Sequence, residues 1–291
     1  MNLRLLATIG ERVGPDSDPP RAAAPTVQVP THTLEDEIVK DGLAAIAEVP
    51  SLYIVGGMAV QAYAFLAGRT ADLRTTSDID VASDELIRKR VFDETIGSRI
   101  ADILAQRGYI PKLGKNRETF EVFVNGTTNP LLIHLDRMSD NRYAREQAKL
   151  TREGAHTIVV DLDGTRSRLK APEDIVAPKL SRLVNNYERF KVVPRHIDGG
   201  ALRPYKQMLN TMRSDLYARF DQTTHEQLAE FKACKDAYDL VLLSQVRSFN
   251  DTYFTGATRD WPAIRRQATW LSRQNFVPEA LRPALAGIKP Q

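Results

Sequence analysis

Residues able to do phosphate chemistry are concentrated in two short segments. In Tyr53-Ile54-Val55-Gly56-Gly57-Met58-Ala59-Val60 a glycine pair closes an apolar run, and Arg74-Thr75-Thr76-Ser77-Asp78-Ile79-Asp80-Val81 carries two acids two residues apart. On a strand, residues i and i+2 share a face, so Asp78 and Asp80 point one way while Ile79 and Val81 point into a core. Two carboxylates so placed suit Mg2+, which takes few protein ligands and completes its shell with substrate phosphates. A glycine turn nearby lets phosphate oxygens approach backbone N–H groups. Gly56, Gly57 and Ser77 are therefore candidate nucleotide contacts. Met58 follows the glycines, so phosphate binding at that turn rests on the amides of the helix start. An Asp-x-Asp pair alone also fits a solvated strand end; the glycine turn upstream favours the metal reading.

Other residues are weighed against plainer roles. Lys179 sits in the apolar stretch Ile175-Val176-Ala177-Pro178-Lys179-Leu180, where a lysine rarely stays without a partner. It reads as a cation reaching a triphosphate or as a snorkelling surface lysine, with Arg182 three residues on along the same face. Asp161 and Asp163 form a second Asp-x-Asp pair, but Asp163-Gly164 is a hairpin signal and turn chemistry explains it. His134, in Leu131-Leu132-Ile133-His134-Leu135-Asp136, reads as a hydrogen-bonded, partly buried histidine. Cys234 reads as a small buried hydrophobe.

The elements around these residues follow from pattern. Residues 1–33, with five prolines from Pro15 to Pro30, read as an extended or mobile arm. Thr33 and Asp36 signal the start of a helix with Ile38, Val39, Leu43 and Ile46 inward. Short strands are expected at 52–55 and 78–82, a helix leaving the glycine turn at 58–67, and a long amphipathic helix at 86–106 with Ile96, Ile100, Ile103 and Leu104 inward. Strands at 119–124 and 131–136 follow, then a hairpin flanking Asp163-Gly164. From Pro172, a favourable first helical residue followed by Glu173 and Asp174, the pattern is helical almost to the end. The expected fold class is α/β (α+β): a mixed sheet with flanking helices over 34–171, followed by an α-helical domain over 172–291.

The glycine pair, the intervening helix and Arg74-x-Thr-x-Asp-Ile-Asp resemble nucleotidyltransferases of the polymerase-beta type, and more closely the AbiEii/MenT toxin family. Pro172-Glu173-Asp174-Ile175-Val176-Ala177-Pro178-Lys179-Leu180 resembles that family's helix, and Lys235-Asp236-Ala237-Tyr238-Asp239-Leu240 resembles a later motif. The likeness runs from about residue 50 to 242, in the family's order. The chain departs from it at Met58, where many members have serine, and in an apparent insertion around 190–222. The resemblance implies a fold and a site: Asp78, Asp80 and, from the strand ending at Asp136, a third carboxylate as metal ligand or base. It implies Lys179 on the phosphates and Asp236 completing the site, with Asp239 left as a structural partner for a nearby arginine. It also implies an NTP co-substrate, a tRNA acceptor modified at its 3′ end, inhibition of translation, and a cognate antitoxin.

The composition, 40 basic and 37 acidic residues with a net charge of +3, permits an RNA partner without requiring one. Lys206, Arg213, Arg219, Arg265, Arg266 and Arg273, interleaved with Tyr205, Tyr217, Phe220, Trp261 and Trp270, suit an RNA backbone and stacked bases, or equally the solvated faces of amphipathic helices. One cysteine excludes a disulfide framework and a cysteine-rich zinc site within one chain. No stretch reaches the roughly 18 apolar residues of a membrane span, so a cytoplasmic protein without a membrane partner is expected. Two other functions stay open: nucleotide transfer to a small molecule such as a cationic antibiotic, and a non-catalytic nucleotide-binding protein on the same fold.

Overall fold

The structure is a computed structural model that describes residues 32–76, 78–83, 92–115, 119–125, 131–136, 156–219 and 222–289. The arm before His32, Ser77 and the first part of the helix expected at 86–106 lie outside the described residues. Side chains at 92–94, 114–115, 119–125, 136 and 199 are likewise outside them.

Helix α1 (Glu37–Ala47) buries Ile38, Val39, Leu43 and Ile46, the positions its period selects. Its start is a turn: the Asp36 carboxylate accepts from the Thr33 N–H at 2.7 Å, and the helix begins one residue later. Strand β1 (Leu52–Ile54) leads into helix α2 (Gly56–Leu66), and β2 (Asp78–Ser83) follows. Within the expected long helix, the described part is a π-helical turn over Phe92–Gly97 that continues as α3 (Ser98–Gln106); Ile96, Ile100, Ile103 and Leu104 are all buried, as its pattern predicts. Strands β3 (Ile110–Lys115), β4 (Thr119–Asn125), β5 (Leu131–Asp136), β6 (Thr157–Leu162) and β7 (Thr165–Lys170) complete a seven-stranded sheet of order β3-β4-β5-β2-β1-β7-β6.

The sheet is mixed. β2 runs parallel to β5 and β1 parallel to β7, and the other neighbours are antiparallel. β6 and β7 form the expected hairpin, with Asp163 and Gly164 at φ 54° and 83° and the Gly164 N–H donating to the Asp161 carboxylate at 2.7 Å. Asp161 and Asp163 are thus turn residues, and Asp163 pairs with Lys40.

The chain then becomes helical. Helix α4 (Pro172–Phe190) starts on its proline and ends at Lys191 in the left-handed conformation. After a 3-10 turn at Asp198–Gly200 come α5 (Leu202–Ala218), α6 (His225–Val246), α7 (Asp251–Arg259), α8 (Pro262–Leu271) and α9 (Arg282–Ala286). A full capping box at Thr224 and Gln227 starts α6. The apparent insertion around 190–222 is α5, packed along α6. The fold is therefore the expected class: a mixed α/β sheet with flanking helices and an α-helical C-terminal part. Among the described residues no helix is long and apolar enough to cross a membrane.

Candidate active site

The alternation of β2 sets the first wall. Ile79 and Val81 are fully buried in the core, while Asp78 and Asp80 stand half-buried on the other face. The Thr76 hydroxyl donates to Asp78 Oδ1 at 2.9 Å and fixes that carboxylate. Next to β2, the Val55 N–H donates to the Asp80 carbonyl at 2.9 Å, which carries the following glycines over the acid. Gly56 has φ +65°, and a Cβ there would lie 2.4 Å from Asp80 Oδ2. A Cβ on Gly57 would lie 2.1 Å from Arg74 Nη2. Both glycines are needed for close approach, one to the carboxylate and one to the guanidinium. The first turn of α2 has no side-chain cap, so its amides are open to an anion.

Among the described residues no donor is hydrogen-bonded to the Asp80 carboxylate. Burial and then the neighbouring Asp78 charge push the Asp80 carboxyl above the usual carboxylate range. Burial pushes Asp78 up as well, but Lys235, His134, the Thr76 hydroxyl and Arg74 outweigh it and hold Asp78 below that range. Asp80 is thus the acid that lacks compensating charge, which a divalent cation would supply. No three His, Cys, Asp or Glu side chains among the described residues converge on one point. A cation here would take Asp78 and Asp80 and fill its shell with substrate oxygens and water, which suits Mg2+.

The opposing wall comes from α4 and α6, and it is a buried ion cluster. Lys179, with 2% of its side chain exposed, donates to Asp236 Oδ1 at 3.0 Å and Asp239 Oδ2 at 2.7 Å. Arg182 forks onto Asp236 at 2.8 and 2.7 Å. Arg74 forks onto Asp239 at 2.8 and 3.0 Å, the arginine partner expected for that acid. Burial pushes the Asp236 carboxyl up, yet Arg182 and Lys179 outweigh it and hold it well below the usual range; Arg74 and Lys179 do the same for Asp239. Both oxygens of Asp236 are occupied, so this acid is a weak base that holds cations in place. Lys179 is likewise enclosed between two carboxylates. Arg182 is different: half of its side chain is exposed, and its charge acts on Asp80.

A cavity of about 130 Å³ opens beside Asp78, between α5, α6 and the strand end. Among the described residues its charged lining is Arg74, Arg213, Lys232, Lys235 and one acid, Asp78. The Arg213 guanidinium donates to the Thr75 hydroxyl at 2.9 Å and lies 6.0 Å from the Tyr217 ring centroid. Lys235 has no hydrogen bond or ion pair with any described residue. Burial lowers its pKa, with the Arg74 charge adding to the effect. Lys235 was not singled out from the sequence, although Leu228, Phe231, Lys232 and Lys235 follow the i, i+3, i+4, i+7 spacing of one helix face.

His134 lies directly across from Asp80 in the sheet and is buried; among the described residues its Nε2 has no hydrogen-bond partner. Asp136 ends β5 two residues on, on the face of His134 by alternation; its side chain lies outside the described residues. The basic and aromatic residues do not form one surface. Lys206 and Arg213 bind backbone carbonyls near residues 71–75, whereas Arg266 faces Glu188 and Trp270 stacks on Tyr187 at 4.6 Å. Cys234 is fully buried.

No protein-family model matches the chain, and no curated protein matches it. Among solved structures, an antigenic nucleotidyltransferase-like protein from Paracoccidioides brasiliensis aligns at 14% identity with a TM-score of 0.37, over 76% of this chain and 98% of its own. The cyclic dinucleotide synthase CdnE of Elizabethkingia meningoseptica, solved with GTP and Apcpp, aligns at 16% identity with a TM-score of 0.33, over 82% of this chain and 81% of its own. Likenesses this remote carry no argument for the chemistry of this chain.

Proposed function

We propose that the chain is a nucleotidyltransferase that moves a nucleoside monophosphate from an NTP to a hydroxyl acceptor. One observation supports this most: Asp78 and Asp80 share a strand face beneath a positive-φ glycine at an uncapped helix start, and among the described residues no donor bonds the Asp80 carboxylate. That arrangement offers carboxylates for Mg2+ beside amides for phosphate oxygens. When bound, Mg2+ would neutralise phosphate charge at Asp78 and Asp80. The acceptor oxygen attacks the α-phosphorus, the bond to the bridging oxygen breaks, and pyrophosphate leaves with its electron pair. Gly56, Gly57 and the first turn of α2 hold phosphate oxygens, Ser77, next to Asp78 in sequence, is a further candidate contact, and Arg182 presents a cation from the opposing wall. Lys179, Asp236 and Asp239 position Arg182 and Arg74, and Asp136 is our candidate for the base that takes the hydroxyl proton.

The acceptor we favour is RNA, specifically the tRNA 3′ end, as the AbiEii/MenT resemblance implies. On that reading transfer blocks aminoacylation, the protein acts as a toxin, and an antitoxin restrains it. The cations around the cavity favour an anionic substrate over a cationic antibiotic. Incubation with α-labelled NTPs, Mg2+ and either total RNA or small-molecule acceptors tests the reading. Label should enter RNA, and a chelator or Asp80→Ala should abolish the transfer. An Asp80→Ala protein that transfers label at the wild-type rate would sink the assignment.

A further inference from the structure

The cavity beside Asp78 has two kinds of wall. Leu209, Leu216 and Tyr217 of α5 face Leu228 and Phe231 of α6 across an apolar slot. At about 130 Å³ it has room for a ligand rather than a single water. Lys235, Arg213 and Asp78 line the same cavity and give it a polar part. Lys235 is half-buried with no partner among the described residues, an arrangement that is costly unless a ligand completes it. Lys179, the other lysine near the site, is 2% exposed and spends two of its three donors and its charge on Asp236 and Asp239.

We propose that this cavity is the nucleotide subsite, with the base in the α5–α6 slot and Lys235, rather than Lys179, on the phosphate next to Asp78. This rests on the nucleotidyltransferase reading and gives it a specific pocket. A planar heterocycle fits walls that carry Tyr217 and Phe231, and an anion fits an end with Lys235 and Arg213. Lys232 stands at the exposed rim of the same helix face.

Equilibrium binding with Mg2+ tests the subsite, using a non-hydrolysable NTP and inorganic tripolyphosphate as probes. Lys235→Met should weaken both probes by about tenfold or more, and Lys235→Arg should restore most of the loss. Leu228→Trp, which fills the slot, should weaken the NTP analogue several-fold and leave tripolyphosphate unchanged. Melting temperatures close to wild type would show that the variants fold. If the wild type binds the NTP analogue and Lys235→Met binds both probes equally well, the subsite is overturned while the enzyme reading stands. The same holds if Leu228→Trp spares the NTP analogue and impairs only an RNA acceptor. If the wild type binds no nucleotide, both fall together.

Discussion

Asp80 has a carboxyl raised by burial and by Asp78, and among the described residues no donor stabilises its charge. In the absence of a cation it costs stability, as functional acids often do. Asp80→Asn keeps the shape and removes one of two like charges. We expect it to lose label transfer by at least about 100-fold while gaining on the order of 1 kcal/mol in urea unfolding. A loss of stability with transfer retained would reverse both halves of that expectation. Asp239 behaves in the opposite way: it is fully buried and answers both Arg74 and Lys179. Asp239→Ala would leave two buried cations short of a partner, and we expect about 3–5 kcal/mol of destabilisation. Thermal melts of the two variants, moving in opposite directions, would separate the site acid from the scaffold acid.

At the scale of the element, the glycine turn couples the two walls. Gly56→Ala places a Cβ against the Asp80 carboxylate in a backbone region that costs an L-residue roughly 1–2 kcal/mol. Gly57→Ala has no such backbone cost, but its Cβ strikes the Arg74 guanidinium, which is held by Asp239. We therefore expect Gly57→Ala to lose stability through the ion cluster, and a double-mutant cycle with Asp239→Asn to show strong coupling. Additive effects would mean that Arg74 moves aside freely. Much of this turn was legible in the sequence, because a period of two fixes which face Asp78 and Asp80 share and Asp163-Gly164 declares its own hairpin. The other wall was legible only through the family resemblance, which pointed to Lys179, Asp236 and Asp239; no local pattern joins them. Lys179 and Asp236 are 57 residues apart, and only the packing of α4 on α6 decides that they meet. Lys235 and Asp236 are neighbours in sequence but lie about 100° apart around a helix. One closes the ion cluster and the other lines the cavity, and no local pattern says which face of α6 meets which wall. The cavity depends on α5, which occupies the segment that stood out only as an apparent insertion.

Across the whole molecule, the buried charges join the sheet to the helices. Arg74 precedes β2, Lys179 and Arg182 lie on α4, and Asp236 and Asp239 lie on α6. Tyr238, fully buried beside these acids, donates its hydroxyl to the Asp72 carbonyl at 2.6 Å and adds a neutral tie between the same parts. The sheet and helices should therefore unfold together near neutral pH, in one transition. Acid should weaken the junction in a defined direction. The Asp236 and Asp239 carboxyls are held below their ordinary value of 3.8 in the folded protein. Below that value the unfolded chain binds protons that the folded chain refuses, so the stability these acids provide is present above about pH 4 and is lost as the pH falls towards their folded values. Each such proton contributes a slope of at most about 1.4 kcal/mol per pH unit. Urea unfolding measured from pH 6 downwards should show this steepening in the wild type, and a shallower fall in Asp239→Asn, which has one fewer proton to take up. Equal slopes in the two proteins would show that the acid-sensitive groups lie elsewhere and that the ion cluster is not what couples sheet to helices.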